Sequence, residues 1–266
     1  MTAIDQTLLD SVERIAREAG EAIMAIYGRE FSVEEKADKS PLTEADAAAH
    51  ELIVARLAAL TPDMPILSEE DTAAFTGADA SGRYWLVDPL DGTKEFIKRN
   101  GEFTVNVALI ENGVAVLGVV YAPVLDVAYL GLKGLGAFKV DAEGRQPIRV
   151  SEHVQGDCWR VVGSRSHAGA ETTAWLEKLG QHEMVAMGSS LKLCLVAEGA
   201  ADVYPRLGPT SLWDTAAAQA VVEQAGGAVI QLDGTPLSYA NTAHILNPFF
   251  VVHGISSQDW AALAQK

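Results

Sequence analysis

The chain has 266 residues, 48% hydrophobic and 21% charged, a globular profile with enough length for a sizeable core in one large or two smaller domains. Its formal net charge of −16 argues against a nucleic-acid backbone as partner, so a polyanionic substrate would need local cations to reverse the field. Two cysteines, Cys158 and Cys194, exclude a disulfide framework or a cysteine zinc site and suit reduced thiols in the cytoplasm.

The N-terminus carries Asp5, Asp10 and Glu13 where a signal peptide needs basic residues and an apolar run. Residues 4–27 place Ile4, Leu8, Val12, Ile15, Ala19, Ile23 and Ile26 at helical spacing, with Gly28 as C-cap. A strand is expected at 31–35 and a polar loop at 36–41. Thr43 then caps a helix running to Leu60, with Asp46 completing a capping box. Residues 66–68 read as a short strand ending in the acids Glu69, Glu70 and Asp71. A buried strand over 84–87 should stop at Asp88-Pro89, because proline cannot donate to a ladder. Asp91 and Gly92 close the turn, and Thr93 opens a short helix. Residues 102–110 and 114–121 flank Asn112-Gly113, a strong hairpin signal. Strands at 127–132 and 136–140 complete two helices against an antiparallel-rich sheet. The apolar stretch 114–132 contains Pro123 and Asp126 and suits two strands better than a membrane span.

From Trp159 the pattern changes to alternating strand and helix, placing a boundary near 149–155 and domains at 1–152 and 153–266. Strands are expected at 159–163, 182–187, 201–204, 228–232 and 249–252. Helices are expected at 170–179, 191–198, 213–224 and 257–264. The class is thus α/β, with an α+β first part and an α/β second part.

Four acids stand at element ends: Glu69, Asp88, Asp91 and Asp214. Each has an ordinary explanation, Glu69 in the acidic run of a solvated loop, Asp88 and Asp91 as solvated turn residues and Asp214 as a helix N-cap. Together they would hold two or three Mg²⁺ ions of the kind that clamp a phosphoryl transfer. Thr93 could position a water with Asp46 accepting its hydrogen bond. Gly188-Ser189-Ser190 at a helix start reads as an anion cradle, with Lys192 adding a point charge.

In their order, Ser68-Glu69-Glu70, Asp88-Pro89-Leu90-Asp91-Gly92-Thr93 and Trp213-Asp214 with Ala225-Gly226-Gly227 resemble the three signatures of the inositol monophosphatase superfamily, across essentially the whole chain. The resemblance implies a layered αβαβα sandwich and a Mg²⁺-dependent, lithium-sensitive phosphomonoesterase. It implies metal ligation by Glu69, Asp88, the Leu90 carbonyl, Asp91 and Asp214, and catalysis by Asp46, Thr93 and Glu69. Residues 91–99, Gly163-Ser164-Arg165-Ser166-His167, Gly188-Ser189-Ser190-Leu191-Lys192 and Tyr204-Pro205-Arg206 are most similar to the bacterial CysQ-type 3'(2'),5'-bisphosphate nucleotidase subfamily. That implies hydrolysis of adenosine 3',5'-bisphosphate, or its phosphosulfate analogue, in sulfur assimilation and nucleotide recycling. The implied substrate contacts are Glu69, Leu90, Asp91, Gly92, Thr93, Ser164, His167, Gly188, Ser189, Ser190, Lys192, Arg206 and Asp214. An inositol or sugar-phosphate monophosphatase with the same metal site is the alternative enzyme. A non-catalytic nucleotide sensor is the rival of another class. The expected partners are a small nucleotide bisphosphate and, at most, a second copy of the chain. The protein is expected in the cytoplasm, with peripheral association at the inner membrane's cytoplasmic face left open.

Overall fold

In the computed structural model, which describes residues 3–35, 41–163 and 169–265, the N-terminal periodicity forms helix α1 (Gln6–Tyr27). Asp5 caps it, its Oδ1 accepting from the Leu8 N–H at 3.1 Å. Short strands β1 (Val33–Glu35) and β2 (Pro41–Thr43) pair antiparallel; most of the loop expected between them, residues 36–40, lies outside the described residues. Helix α2 (Glu44–Leu60) begins with the expected capping box: the Thr43 N–H and Oγ1 both donate to Asp46 Oδ2 at 2.7 Å.

A seven-stranded sheet follows in sequential order. It comprises β3 (Ile66–Ser68), β4 (Arg83–Asp91), β5 (Thr104–Glu111), β6 (Val114–Ala122), β7 (Val127–Leu132), β8 (Gly136–Asp141) and β9 (Gly144–Pro147). Only β3 and β4 run parallel. The β5–β6 hairpin turns on Asn112 and Gly113, both at positive φ (51° and 80°), as a tight right-twisted hairpin demands. Edge strand β9 carries no apolar alternation and was not expected.

Strand β4 corrects the expected stop at Asp88-Pro89. Asp88 pairs with Asn106 and Asp91 with Thr104, so three steps on β4 oppose two on β5. The extra residue is a bulge. The ladder is already interrupted where Pro89 sits, so its missing N–H costs nothing there. Helix α3 (Thr93–Ile97) follows at once, its N-cap Gly92 at φ 94°.

The second part has β10 (Trp159–Gly163), α4 (Ala170–Leu179), β11 (His182–Ala186), α5 (Leu191–Ala197), β12 (Val203–Arg206), α6 (Leu212–Gln224), β13 (Ala228–Gln231), β14 (Phe250–His253) and α7 (Trp260–Gln265). Its mixed five-stranded sheet has the order β11-β10-β12-β14-β13. Asp214 is not the N-cap of α6. Ser211 is, and Asp214 reaches back from the third helical position to accept the Ser211 N–H at 2.9 Å.

Period-two alternation sorts these strands into layers. On β4, Trp85 and Val87 face α1 and α2, whereas Tyr84 and Leu86 face α5 and α6. On the second sheet, Phe250 and Val252 join that middle core, whereas Trp159, Val161 and Val251 pack with Trp175 of α4 and Trp260 of α7. The result is the five-layer αβαβα sandwich. Helix α6 is buried around most of its circumference, and its small side chains let it lie close to the sheet. A methyl group on Gly118 of β6 would overlap the Ala217 carbonyl, and one on Gly131 of β7 would come within 2.6 Å of the Ala220 carbonyl oxygen.

Candidate active site

Five element ends converge on one edge of this sandwich. β3 ends at Ser68 and delivers Glu69, β4 delivers Asp88, Leu90 and Asp91, α3 begins with Thr93, α2 carries Asp46 in its first turn, and α6 carries Asp214 in its own. The parallel pairing of β3 with β4, Ser68 opposite Val87, sets Glu69 beside the bulge. Glu69, Asp88 and Asp214 each bring one carboxylate oxygen within 4.8 Å of the others.

Each aspartate is held by a backbone donor. Asp88 Oδ1 accepts the Leu90 N–H at 3.1 Å, Asp214 Oδ2 accepts the Ser211 N–H, and Asp91 Oδ2 accepts the Ser190 N–H at 2.5 Å. Burial raises Asp88 well above the ordinary carboxylate range, and Glu69, Asp91 and Asp214 push the same way. Burial also raises Asp91, against the nearby Lys192 ammonium and the Ser190 N–H. Asp214 is pushed up to about 8, first by burial and then by Asp91. Acids so crowded cannot all ionise without a counter-charge. Their all-oxygen donor set fits a hard divalent cation.

Thr93 Oγ1 lies 3.3 Å from Asp46 Oδ1 and 3.4 Å from the Leu90 carbonyl oxygen. Asp46 is 1% exposed, and its other oxygen is held by Thr43, so its acceptor toward Thr93 cannot rotate away.

Two cavities meet at Asp91, Gly92, Glu95 and Asp214. One, of about 360 Å³, lies over Glu69, Asp88, Leu90, Asp91, Thr93 and Asp214. The other, of about 200 Å³, is walled by Gly188, Ser189, Ser190, Lys192, Tyr204, Arg206, Thr210 and Phe250. The structure therefore brings the expected acids and the expected cations to one place. Ser164 and His167 lie outside the described residues.

The expected anion cradle is built differently. The Gly188 N–H donates to Glu102 Oε2 at 2.8 Å, and the Ser190 N–H is taken by Asp91. Ser190 is 2% exposed, and its hydroxyl turns to Thr104 and Asn106 on β5. A carboxylate takes each of these two N–H groups, and the 92 and 188 loops touch. A methyl on Gly92 would lie 3.3 Å from Ser189 Cβ, and one on Gly188 2.9 Å from Glu95 Cγ. The Lys192 ammonium donates to the Ser189 carbonyl at 2.6 Å and lies 5.7 Å above the Tyr204 ring. Arg206 donates to the Pro209 carbonyl at 2.7 Å. Sequence reasoning missed Glu102, Thr104 and Asn106, whose partners lie more than eighty residues away and leave no local spacing to read.

The profile of the inositol monophosphatase family matches residues 5–264. The chain is 52% identical over 247 residues to the 3'(2'),5'-bisphosphate nucleotidase CysQ of Escherichia coli K12, covering 92% of this chain and 99% of that one. The crystal structure of CysQ from Bacteroides thetaiotaomicron superposes with a TM-score of 0.81 at 44% identity, covering 94% of this chain and 97% of that one. An IMPase from Thermotoga maritima has a TM-score of 0.79 at 28% identity, covering 98% and 97%. No helix among the described residues is long and apolar enough to cross a membrane.

Proposed function

The chain belongs to the inositol monophosphatase family, and on that premise we propose that it is a Mg²⁺-dependent 3'(2'),5'-bisphosphate nucleotidase. It takes adenosine 3',5'-bisphosphate, breaks the bond between phosphorus and the ribose 3' oxygen with one water, and leaves AMP and phosphate. The observation that carries this reading is the cluster of Glu69, Asp88 and Asp214 beside a cavity walled by Lys192 and Arg206. Acids alone suit any phosphomonoester; the neighbouring cations suit a substrate with a second phosphate. Identity supports the same choice over an inositol or sugar phosphate, at 52% to a nucleotidase against 28% to the Thermotoga maritima IMPase.

Two or three Mg²⁺ ions held by Glu69, Asp88, the Leu90 carbonyl, Asp91 and Asp214 would neutralise the phosphate and acidify the attacking water. The Thr93 hydroxyl donates its hydrogen bond to Asp46 Oδ1, so its oxygen is left to accept from a water and turn that water's lone pair toward phosphorus. The Thr43 donors hold Asp46 in the geometry this requires. Lys192 and Arg206 hold the phosphate that is not cleaved. Residues 1–152 thus supply most of the acids and the water-orienting pair. Residues 153–266 supply Asp214 and the groups facing the nucleotide.

Phosphate release tests the reading, with adenosine 3',5'-bisphosphate, inositol 1-phosphate and fructose 1,6-bisphosphate offered at equal concentration with Mg²⁺, with and without millimolar Li⁺. The bisphosphate nucleotide should have the highest kcat/KM and lose turnover in Li⁺. A preference for inositol 1-phosphate would promote the alternative enzyme.

A further inference from the structure

Asp91 accepts its backbone hydrogen bond from the other half of the chain, at the Ser190 N–H, whereas Asp88 and Asp214 accept theirs from Leu90 and Ser211 nearby in sequence. Its carboxylate is not among the three that cluster within 4.8 Å, and its Oδ2 accepts the Ser190 N–H. What aims that N–H is a chain of hydroxyl groups. The Ser190 hydroxyl donates to Asn106 Oδ1 at 2.8 Å, so the Thr104 hydroxyl, also 2.8 Å away, must donate to Ser190. All three residues are at most 2% exposed. Asn106 Nδ2 is buried with no acceptor among the described residues. In the strand register Thr104 pairs with Asp91 and Asn106 with Asp88, so the node sits directly beside the bulge that carries both acids.

We propose that Thr104, Asn106 and Ser190 form a positioning node that fixes Asp91 as a ligand offering a single oxygen to a cation. With Oδ2 committed to Ser190, Asp91 presents Oδ1 alone. That suits a small octahedral ion, and it disfavours the two-oxygen grip by which a carboxylate holds Ca²⁺. The proposal rests on the reading of Asp91 as a cation ligand.

The test is calorimetric titration of the metal-free full chain with Mg²⁺, and separately with Ca²⁺. Ser190→Ala keeps the backbone N–H but frees it from β5, and Thr104→Val removes the hydroxyl without changing shape. Each should weaken Mg²⁺ binding about tenfold, the scale of losing an outer partner of a metal ligand, while Ca²⁺ binding changes less. The double variant should lose no more than the worse single one, since one node is broken. A lowered melting temperature of the metal-free protein with unmoved Mg²⁺ affinity would make the node structural only and overturn the proposal, as would additive losses. If Ser190→Ala does not fold, the isosteric Thr104→Val decides. Asp91→Asn separates the two levels. Unchanged Mg²⁺ binding there overturns the ligand reading itself, whereas loss there with normal binding in Thr104→Val overturns only the node.

Discussion

Replacing Lys192 by alanine separates the two substrate classes. In the structure its ammonium is bonded to the Ser189 carbonyl at 2.6 Å. To hold a phosphate it must exchange a neutral acceptor for a charged one. Hydrogen bonds involving charged groups contribute about 1.5–3 kcal/mol, so moving from the lower to the upper end of that range nets about 1.5 kcal/mol, roughly tenfold. Lys192→Ala should therefore lower kcat/KM for adenosine 3',5'-bisphosphate about tenfold. Inositol 1-phosphate has no second phosphate to lose and should change by less than about twofold. The ammonium also faces Asp91, so its removal strengthens the negative field over the acids. Saturating Mg²⁺ in every assay removes that effect from the comparison. The Ser189 backbone sits at φ 47°, and loss of the lysine could let it relax. Such relaxation would disturb both substrates alike, so only the ratio of the two kcat/KM values is diagnostic. Equal losses for both would refute the assignment of Lys192 to the second phosphate.

If the Thr93 hydroxyl orients the attacking water, as proposed, Thr93→Ala should lower kcat far more than it raises KM; a pure KM effect would remove that role. Gly118→Ala should shift the denaturant midpoint by a destabilisation of about 1–3 kcal/mol, since the new methyl meets the α6 backbone; an unchanged midpoint would mean the helix can slide away freely. Burial raises Asp88, Asp91 and Asp214 in the folded state, Asp214 to about 8, so the metal-free fold binds more protons than the unfolded chain between about pH 4 and 8. Its stability should fall as pH rises through that window, and Mg²⁺ should release protons on binding. Melting temperatures from pH 5 to 8, with and without Mg²⁺, check this, and a metal-free melting temperature that rises across the window contradicts it.

What could be read beforehand was local. Asn112-Gly113 specifies its hairpin because few residues tolerate two successive positive φ values, and Thr43 with Asp46 specifies a helix start within four residues. The α+β first part and the α/β second part were legible from the order of strand and helix patterns, whereas the five-layer stacking was expected only from the family resemblance. Pro89 misled because the rule that proline ends a strand holds only where a ladder bond is due, and the bulge removes that bond. Asp214 misled by one turn: the residue that caps α6 is Ser211, and the acid is its reciprocal partner. The loop at 188–190 was misread for a deeper reason. A helix start with small residues offers N–H groups, but which anion takes them depends on Glu102 and Asp91 arriving from another layer.

Helix α6 has a bearing on how such a protein can diversify. Wedged between two sheets, with Ala216, Ala217, Ala218 and Ala220 all buried, it offers almost no position where a larger side chain could be accepted. Because Asp214 rides on its first turn, drift in this helix would move an acid of the site at the same time. Selection for a new phosphate ester would then have to act through the walls, at positions such as Tyr204, Arg206 and Thr210, while the floor stays frozen. A library randomised at the walls should yield altered substrate preference in folded variants. One randomised along α6 should yield mostly insoluble protein, so the helix behaves as a chassis and the rim as its exchangeable tooling.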